Sequence, residues 1–179
     1  MPTIETERLV LRELVEEDAP VLYDYFSDKH VLAYYGMEPL QSLHEAKAMI
    51  ENFNAMVEKK QGMRLAIVEK ESGETIGTCG FHNYAPRHKR AEIGYELAPS
   101  HWGKGLATEA VEALIDHLFS AHQLSRIGAV VFIENVASRT LLQKMGFQEE
   151  GVLREYMVQS GVAHDVIMHA MLRSEWKKS

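Results

Sequence analysis

The sequence predicts an α/β (α+β) fold: one mixed, mostly antiparallel sheet of about seven strands, flanked by helices. Two hairpin patterns, at 64–81 and 152–172, carry the antiparallel part, each a pair of apolar stretches joined by a short polar turn with glycine. An amphipathic helix pattern after Gly105, set between an alternating strand and a nearly all-apolar one, carries the parallel part. Parallel neighbours need a crossover of this kind, so the unit from Ala91 to Ile133 is the one that must be parallel.

Taken in order, Thr6 to Leu14 reads as an edge strand with Leu9, Leu11 and Leu14 on the alternation. Asp18 then precedes a helical stretch in which Ala19, Leu22, Tyr25 and Phe26 share a face. Ser42-Leu43-His44-Glu45 has the capping-box pattern, and Ala46, Met49, Ile50, Phe53, Met56 and Val57 follow at helical spacing. Leu65 to Val68 and Thr75 to Phe81 flank the Glu71-Ser72-Gly73-Glu74 turn, and Ala91 to Leu97 follows the loop from Pro86 to Arg90, which makes three antiparallel strands. In the next helix Leu106, Ala110, Leu114 and Leu118 form one row and Ala107, Val111, Ile115 and Phe119 its neighbour, with Glu109, Glu112 and Asp116 outward. Ile127 to Ile133 is apolar enough to be covered on both faces. Asn135 caps a second helix ending at Met145, with Gly146 as its left-handed C-terminal residue and Phe147 as the hydrophobic companion. Val152 to Val158, the Gln159-Ser160-Gly161 turn and Asp165 to Leu172 form the final hairpin.

A length of 179 residues suits a single domain over 1–179, and 46% apolar residues can build a core without staples. The net charge of −7 disfavours nucleic acid or an anionic membrane and suits a cationic or amine partner. One cysteine, Cys79, excludes an internal disulfide and a multi-cysteine metal site, and fits a reducing cytoplasm. Glu5, Glu7, Arg8 and Arg12 interrupt the apolar run that a signal peptide requires, and no window approaches the roughly 18 apolar residues of a membrane span. A cytoplasmic protein is expected.

The chemistry sits in the turn Trp102-Gly103-Lys104-Gly105-Leu106-Ala107-Thr108, between a strand and a helix. Glycine lets the backbone approach a ligand, the first helical N–H groups point at it, and the helix dipole adds about +0.5 charge, so the turn can cradle a phosphate, with Lys104 as a further point charge. The plainer alternative is a turn that needs glycine only for its dihedrals. A Walker loop fails here, because Ala98 and Gly105 stand where a glycine and a Ser or Thr are required. A dinucleotide fingerprint has Thr108 in place of its third glycine, and Glu134 lies farther on than the usual ~20 residues. An NAD-binding oxidoreductase is therefore the remote alternative.

The segment from Ala91 to Ala110 closely resembles the acetyl-CoA-binding motif of the GCN5-related N-acetyltransferases (GNAT). Asn135-Val136-Ala137-Ser138, with Lys144-Met145-Gly146-Phe147 after it, is similar to the family's second signature. Thr6-Glu7-Arg8-Leu9-Val10-Leu11-Arg12 resembles the opening strand of the subgroup that acetylates ribosomal-protein N-termini, so the resemblance runs from about Thr6 to Trp176. It implies a V-shaped splay between strands 91–97 and 127–133, and acetyl-CoA as cosubstrate. It also implies Gly94, Leu97, Trp102, Gly103, Lys104, Gly105, Leu106, Ala107, Thr108, Asn135 and Lys144 as the residues that meet acetyl-CoA. The general family loop begins with Gln or Arg where this chain has Trp102, which changes a side-chain contact and keeps the backbone cradle.

The chemistry that the resemblance implies is direct attack of an amine on a thioester, with a base for the ammonium and a proton for the thiolate. Glu92 is the candidate base, directly or through water, with a solvated strand glutamate as the alternative. Gly94, on the face of Glu92 and Glu96, permits a bulge or close approach where a backbone N–H can polarise the carbonyl. Glu96 reads as solvent or salt-bridge material. Ser138 resembles the subgroup's proton donor, or else satisfies a backbone group at the helix start; Asn135 can cap the helix and hold pantetheine amides together. Arg139 and Lys144 can meet CoA phosphates or stand as exposed cations.

At pH 7 an α-amine of pKa ~7.8 is roughly 14% neutral and a lysine at ~10.4 about 0.04%, a gap of about 3.5 kcal/mol. One carboxylate base thus favours an α-amine, most directly that of a ribosomal protein, or a small amine of lowered pKa. A small-molecule amine or polyamine acetyltransferase and a non-catalytic acyl-CoA sensor are the alternatives, in a monomer or homodimer. Tyr34, Tyr35, Gly36 and the turn from Gln159 to Ala163 are candidate walls of the acceptor pocket, with ordinary packing as the other reading. Cys79 reads as a buried inert thiol and Met49, Met56 and Met63 as core filler. His117/His122 and His164/His169 have spacings that miss a common helix face, and no metal is expected.

Overall fold

A computed structural model describes residues 1–176. Among them, eight strands form one sheet: β1 Ile4–Glu5, β2 Leu9–Glu13, β3 Met63–Glu69, β4 Thr75–Ala85, β5 Arg90–Leu97, β6 Arg126–Phe132, β7 Gln148–Gln159 and β8 Val162–Leu172. Their spatial order is β1-β2-β3-β4-β5-β6-β8-β7. The described pairings are antiparallel apart from β5 with β6, the expected crossover. Helices α1 Ala19–Phe26, α2 Leu43–Glu58, α3 Leu106–Ala121 and α4 Val136–Lys144 flank it.

Two strand expectations change. Leu9–Glu13 is not an edge, because the two-residue β1 pairs outside it through Ile4 and Leu11; two residues carry no alternation. The last hairpin begins at Gln148 rather than Val152, since the first turns of chain in β7 are exposed on both faces and show no period.

Apolar side chains collect in two cores. Leu114, Ile115 and Leu118 of α3 join Leu65, Ile93 and Ile127 on one face of the sheet, while Leu22 and Phe26 of α1 pack with Ile50 of α2 on the other. Helix ends follow their local signals. Asn135 Oδ1 accepts from the Ser138 amide at 3.2 Å, and after α4 Gly146 takes φ +91° while the Phe147 amide donates to the Leu142 carbonyl at 2.9 Å. At α2 the Ser42 hydroxyl accepts from the Glu45 amide, but the Glu45 carboxylate reaches back to the Gln41 amide, one residue before the capping-box position.

Asp18 ties three elements together. Arg12 of β2 donates to its carboxylate at 2.8 and 2.9 Å, the Thr75 hydroxyl at the start of β4 at 2.6 Å and the Val15 amide at 2.9 Å. Burial pushes this carboxyl up, and the bonds from Arg12, Thr75 and Val15 outweigh it, so its pKa lies below the ordinary value. A depressed carboxyl contributes stability that is present above the unfolded pKa of ~3.9 and lost as pH falls through the native value. Asp18→Asn is expected to cost about 2 kcal/mol at pH 7 in urea unfolding and to flatten the loss of stability between pH 5 and pH 2.

Candidate active site

Pairing between β5 and β6 stops after Arg90, Ala91 and Glu92 against Arg126, Ile127 and Gly128. From there β5 stays with β4 and β6 with β8, so the strands part and no described strand pairs with the free edge of β5. A cavity of about 1290 Å³ fills the opening, lined by Gly94 to Leu97 on one side and Ala129 to Phe132 on the other.

The glycine-rich turn forms one end. Gly103 and Gly105 take φ +74° and +76°, where a side chain is strained, and beyond its own chain neighbours no described atom lies within 4 Å of a Cβ built on Gly103. The dihedral, not packing, requires glycine at that position. No described side chain caps α3 at Gly105, so the first amides of α3 are offered at the cavity, where Leu106, Ala107 and Thr108 line it. The turn is pinned from β2's approach. Glu109 accepts from the Thr6 hydroxyl at 2.6 Å, the Arg8 amide at 2.8 Å and Arg8 Nε at 2.6 Å, and Arg8 Nη1 donates to the Lys104 carbonyl at 3.0 Å. Glu109, expected to face outward, is thus an anchor. Trp102 is 55% exposed, and its indole N–H donates to the Leu97 carbonyl at 2.7 Å, closing the end of β5. Lys104 and Lys144 do not line the cavity; Lys144 lies in the last turn of α4, about 9 Å along the helix from Ser138. Arg139 is engaged elsewhere, donating to the Ile133 carbonyl at 3.0 Å and pairing with Glu149 at 3.5 Å. Left-handed glycines, an uncapped helix start and an unpaired strand edge suit a ligand with phosphates at one end and amides along its length.

At the middle stands Glu92, 7% exposed, accepting from Asn83 Nδ2 at 3.0 Å with His82 Nε2 at 3.7 Å. Its burial removes the solvated-glutamate alternative. Burial also holds the His82 ring below its ordinary pKa against the pull of Glu92, so it is neutral at pH 7. Gly94 pairs in register with Gly80, and the irregularity of this ladder falls between His82 and Ala85, so the bulge expected as one possibility at Gly94 is not there. The close approach is an internal one: a Cβ on Gly94 would stand 3.0 Å from Arg64 Nη1. Glu96, 8% exposed, is salt-bridge material, held by Arg64, by Thr78 and by the Tyr35 hydroxyl at 2.8 Å. Burial pushes its carboxyl up while Arg64 and Thr78 pull it back; burial works against the Arg64 charge, and Glu96 overrides it.

Across the slot, the Ser138 hydroxyl lies 2.7 Å from the Tyr95 hydroxyl. Burial pushes Tyr95 up to about 12, with Ser138 opposing. Strand alternation puts Tyr95 on the face opposite Glu92, yet both line the cavity, because the opening passes through the sheet. Tyr95 is a site residue that no motif in the sequence marks.

At the far end Tyr34 and Tyr35 line the cavity, whereas Gly36 and the turn from Gln159 to Ala163 follow the packing alternative and do not line it: the Gly36 amide donates to Gln159 Oε1 at 3.2 Å and Gln159 Nε2 to the Leu32 carbonyl at 2.7 Å. Gly36 itself admits Met157, whose Cε would lie 2.3 Å from a Cβ there. Met49, Met56 and Met63 also line the cavity; Met63 is at the same time a buried member of one core and Met49 packs against the other, as expected of core filler, while Met56 belongs to neither. Cys79 is fully buried, its thiol pushed up to about 12 by burial. The His117 and His122 rings do meet, centroids 5.6 Å apart, His122 being the C-cap residue of α3 with its amide donating to the Leu118 carbonyl.

A family model described as an acetyltransferase (GNAT) domain matches residues 8–148. YoaA of Bacillus subtilis strain 168, an uncharacterized N-acetyltransferase, is 46% identical over 172 residues, which is 96% of this chain and 97% of YoaA. The ribosomal protein uS5 alanine N-acetyltransferase of Escherichia coli strain K12 is 27% identical over 178 residues, 96% of this chain and 91% of that one. RimJ of Mycobacterium smegmatis, solved in complex with CoA-disulfide, matches with a TM-score of 0.90 at 27% identity, covering 99% of this chain and 90% of RimJ. Gly103→Ala has room for its methyl, so the variant is expected to fold with a loss of about 1 to 2 kcal/mol and to bind CoA at least tenfold more weakly in calorimetry.

Proposed function

The chain belongs to the GNAT acetyltransferase family, and on that premise we propose that it acetylates the α-amine of a protein N-terminus, ribosomal proteins being the first class to try. It is an N-acetyltransferase, and acetyl-CoA is its cosubstrate. The observation that carries the proposal is one slot through the sheet, with Glu92 reached from one face and the Ser138–Tyr95 pair from the other.

Acetyl-CoA supplies a thioester open to attack by a neutral amine. Glu92, oriented by Asn83, takes a proton from the acceptor ammonium, directly or through water, and the half-exposed neutral His82 is placed to pass it to solvent. Ser138 donates its hydroxyl proton to the departing sulfur and takes one from Tyr95, which is protonated at neutral pH before the step and recovers its own proton from solvent as the free thiol leaves. The free edge of β5 beyond Glu92 offers backbone N–H groups to the thioester oxygen. Leu97, Gly103 to Thr108 and Asn135 hold the carrier in this reading, and Lys104 and Lys144 add charge at its phosphate end. A single carboxylate base suits an α-amine more than a lysine, and the uS5 alanine acetyltransferase among the relatives supports the ribosomal choice. Such an acceptor places the reaction in the cytoplasm.

With acetyl-CoA and N-terminal peptides the protein is expected to release free thiol. Glu92→Gln is expected to lower kcat by about 10² or more, and Ser138→Ala to lower kcat with little change in the KM for acetyl-CoA. Stimulation by polyamines alone would sink the α-amine reading. CoA binding without stimulation by any amine would instead make the chain a sensor.

A further inference from the structure

The half of the cavity away from the glycine-rich turn has two different walls. Its floor is the sheet and is polar, with Arg64, His82, Glu92 and Glu96 lining it around Gly94. Arg64 spends Nε on Thr78 and Nη2 on Tyr35 and Glu96, while Nη1 stands at the low point of the floor, 3.0 Å from where a Gly94 side chain would begin. The roof is mostly apolar. Met49, Phe53 and Met56 come from α2, which also sets Glu45 and Asn52 at the cavity, Tyr34 and Met37 come from the connection before it, and Met157 closes the end.

Glu92 and Gly94 are two residues apart on one strand, about 7 Å. An aminoacyl unit has the complementary pair of groups to offer to these two on one face of β5, its amine to Glu92 and its carbonyl to Arg64 Nη1. Its third substituent, the side chain, then meets the roof. We infer that the acceptor is an amino terminus whose first residue carries a large apolar side chain, of the leucine, methionine or phenylalanine kind, rather than alanine or serine. The inference rests on the α-amine reading. A polyamine offers the guanidinium no carbonyl and carries its other ammonium groups toward methionine and phenylalanine; alanine or serine leaves the roof uncovered. Methionine walls adapt to several apolar shapes, so the discrimination is by size and polarity more than by outline.

The test is kcat/KM for peptides identical beyond a first residue of Leu, Met, Phe, Ala or Ser, alongside isopentylamine, which lacks the carbonyl, and spermidine. The Leu peptide is expected to exceed the Ser peptide and isopentylamine at least tenfold each. Ala or Ser peptides equal to or better than Leu overturn this inference and leave the α-amine reading standing; spermidine as the best acceptor overturns both. Met56→Gln, at a half-buried position, is expected to cut the Leu-to-Ser ratio about tenfold, and Met56→Leu to restore it. An equal loss on both peptides overturns the role of the roof.

Discussion

The parting of β5 from β6 after three paired residues governs the rest of this molecule. A sheet that stops pairing in its middle leaves backbone donors and acceptors exposed, and such groups are costly when buried without partners. Two features sustain the gap. Each half of the sheet continues as antiparallel ladders, and separate apolar cores brace them, α3 packing across β2 to β6 on one face and α1 with α2 on the other. The open edge faces the cavity, where solvent or ligand can meet it. Because the opening passes through the sheet, side chains from opposite faces of β5 share one space, and a carboxylate and a hydroxyl pair can serve the same reacting centre without crowding each other.

The buried ion pair of Arg64 and Glu96 shapes the floor of that space. Taking both charges out of water costs several kcal/mol each, which the pair offsets through its mutual attraction and the hydroxyls of Thr78 and Tyr35. The pair carries no net charge, so the floor neither attracts nor repels an ammonium as a whole; it offers a directed N–H beside a directed carboxylate. The −7 of the whole chain therefore says little about this site. Its acidity near the reacting centre comes down to Glu92.

What was legible in the sequence was local. The crossover, the glycine turn, the Asn135 cap and the Gly146–Phe147 stop each depend on residues within a few positions of one another, and periodicity or turn chemistry reveals them. What was not legible depends on distant partners. Glu92 is buried because Asn83 and His82 of β4 lie across the ladder from it. The meeting of Tyr95 and Ser138 requires the gap in the sheet to exist first. Methionines at helical spacing read as core because a pattern shows which face is turned inward and not whether something solid waits there. His117 and His122 meet through their rings across the last turn of α3, a contact that depends on side-chain direction and not on spacing.

The anchoring of the glycine-rich turn makes two distant stretches of chain one mechanical part. Thr6 and Arg8 hold Glu109 across 103 and 101 residues of chain, and Arg8 also fixes the carbonyl of Lys104 within the turn itself. Glu109 is the acceptor they share, so the opening segment serves as a brace for the turn, and its loss would release both ends of the brace together.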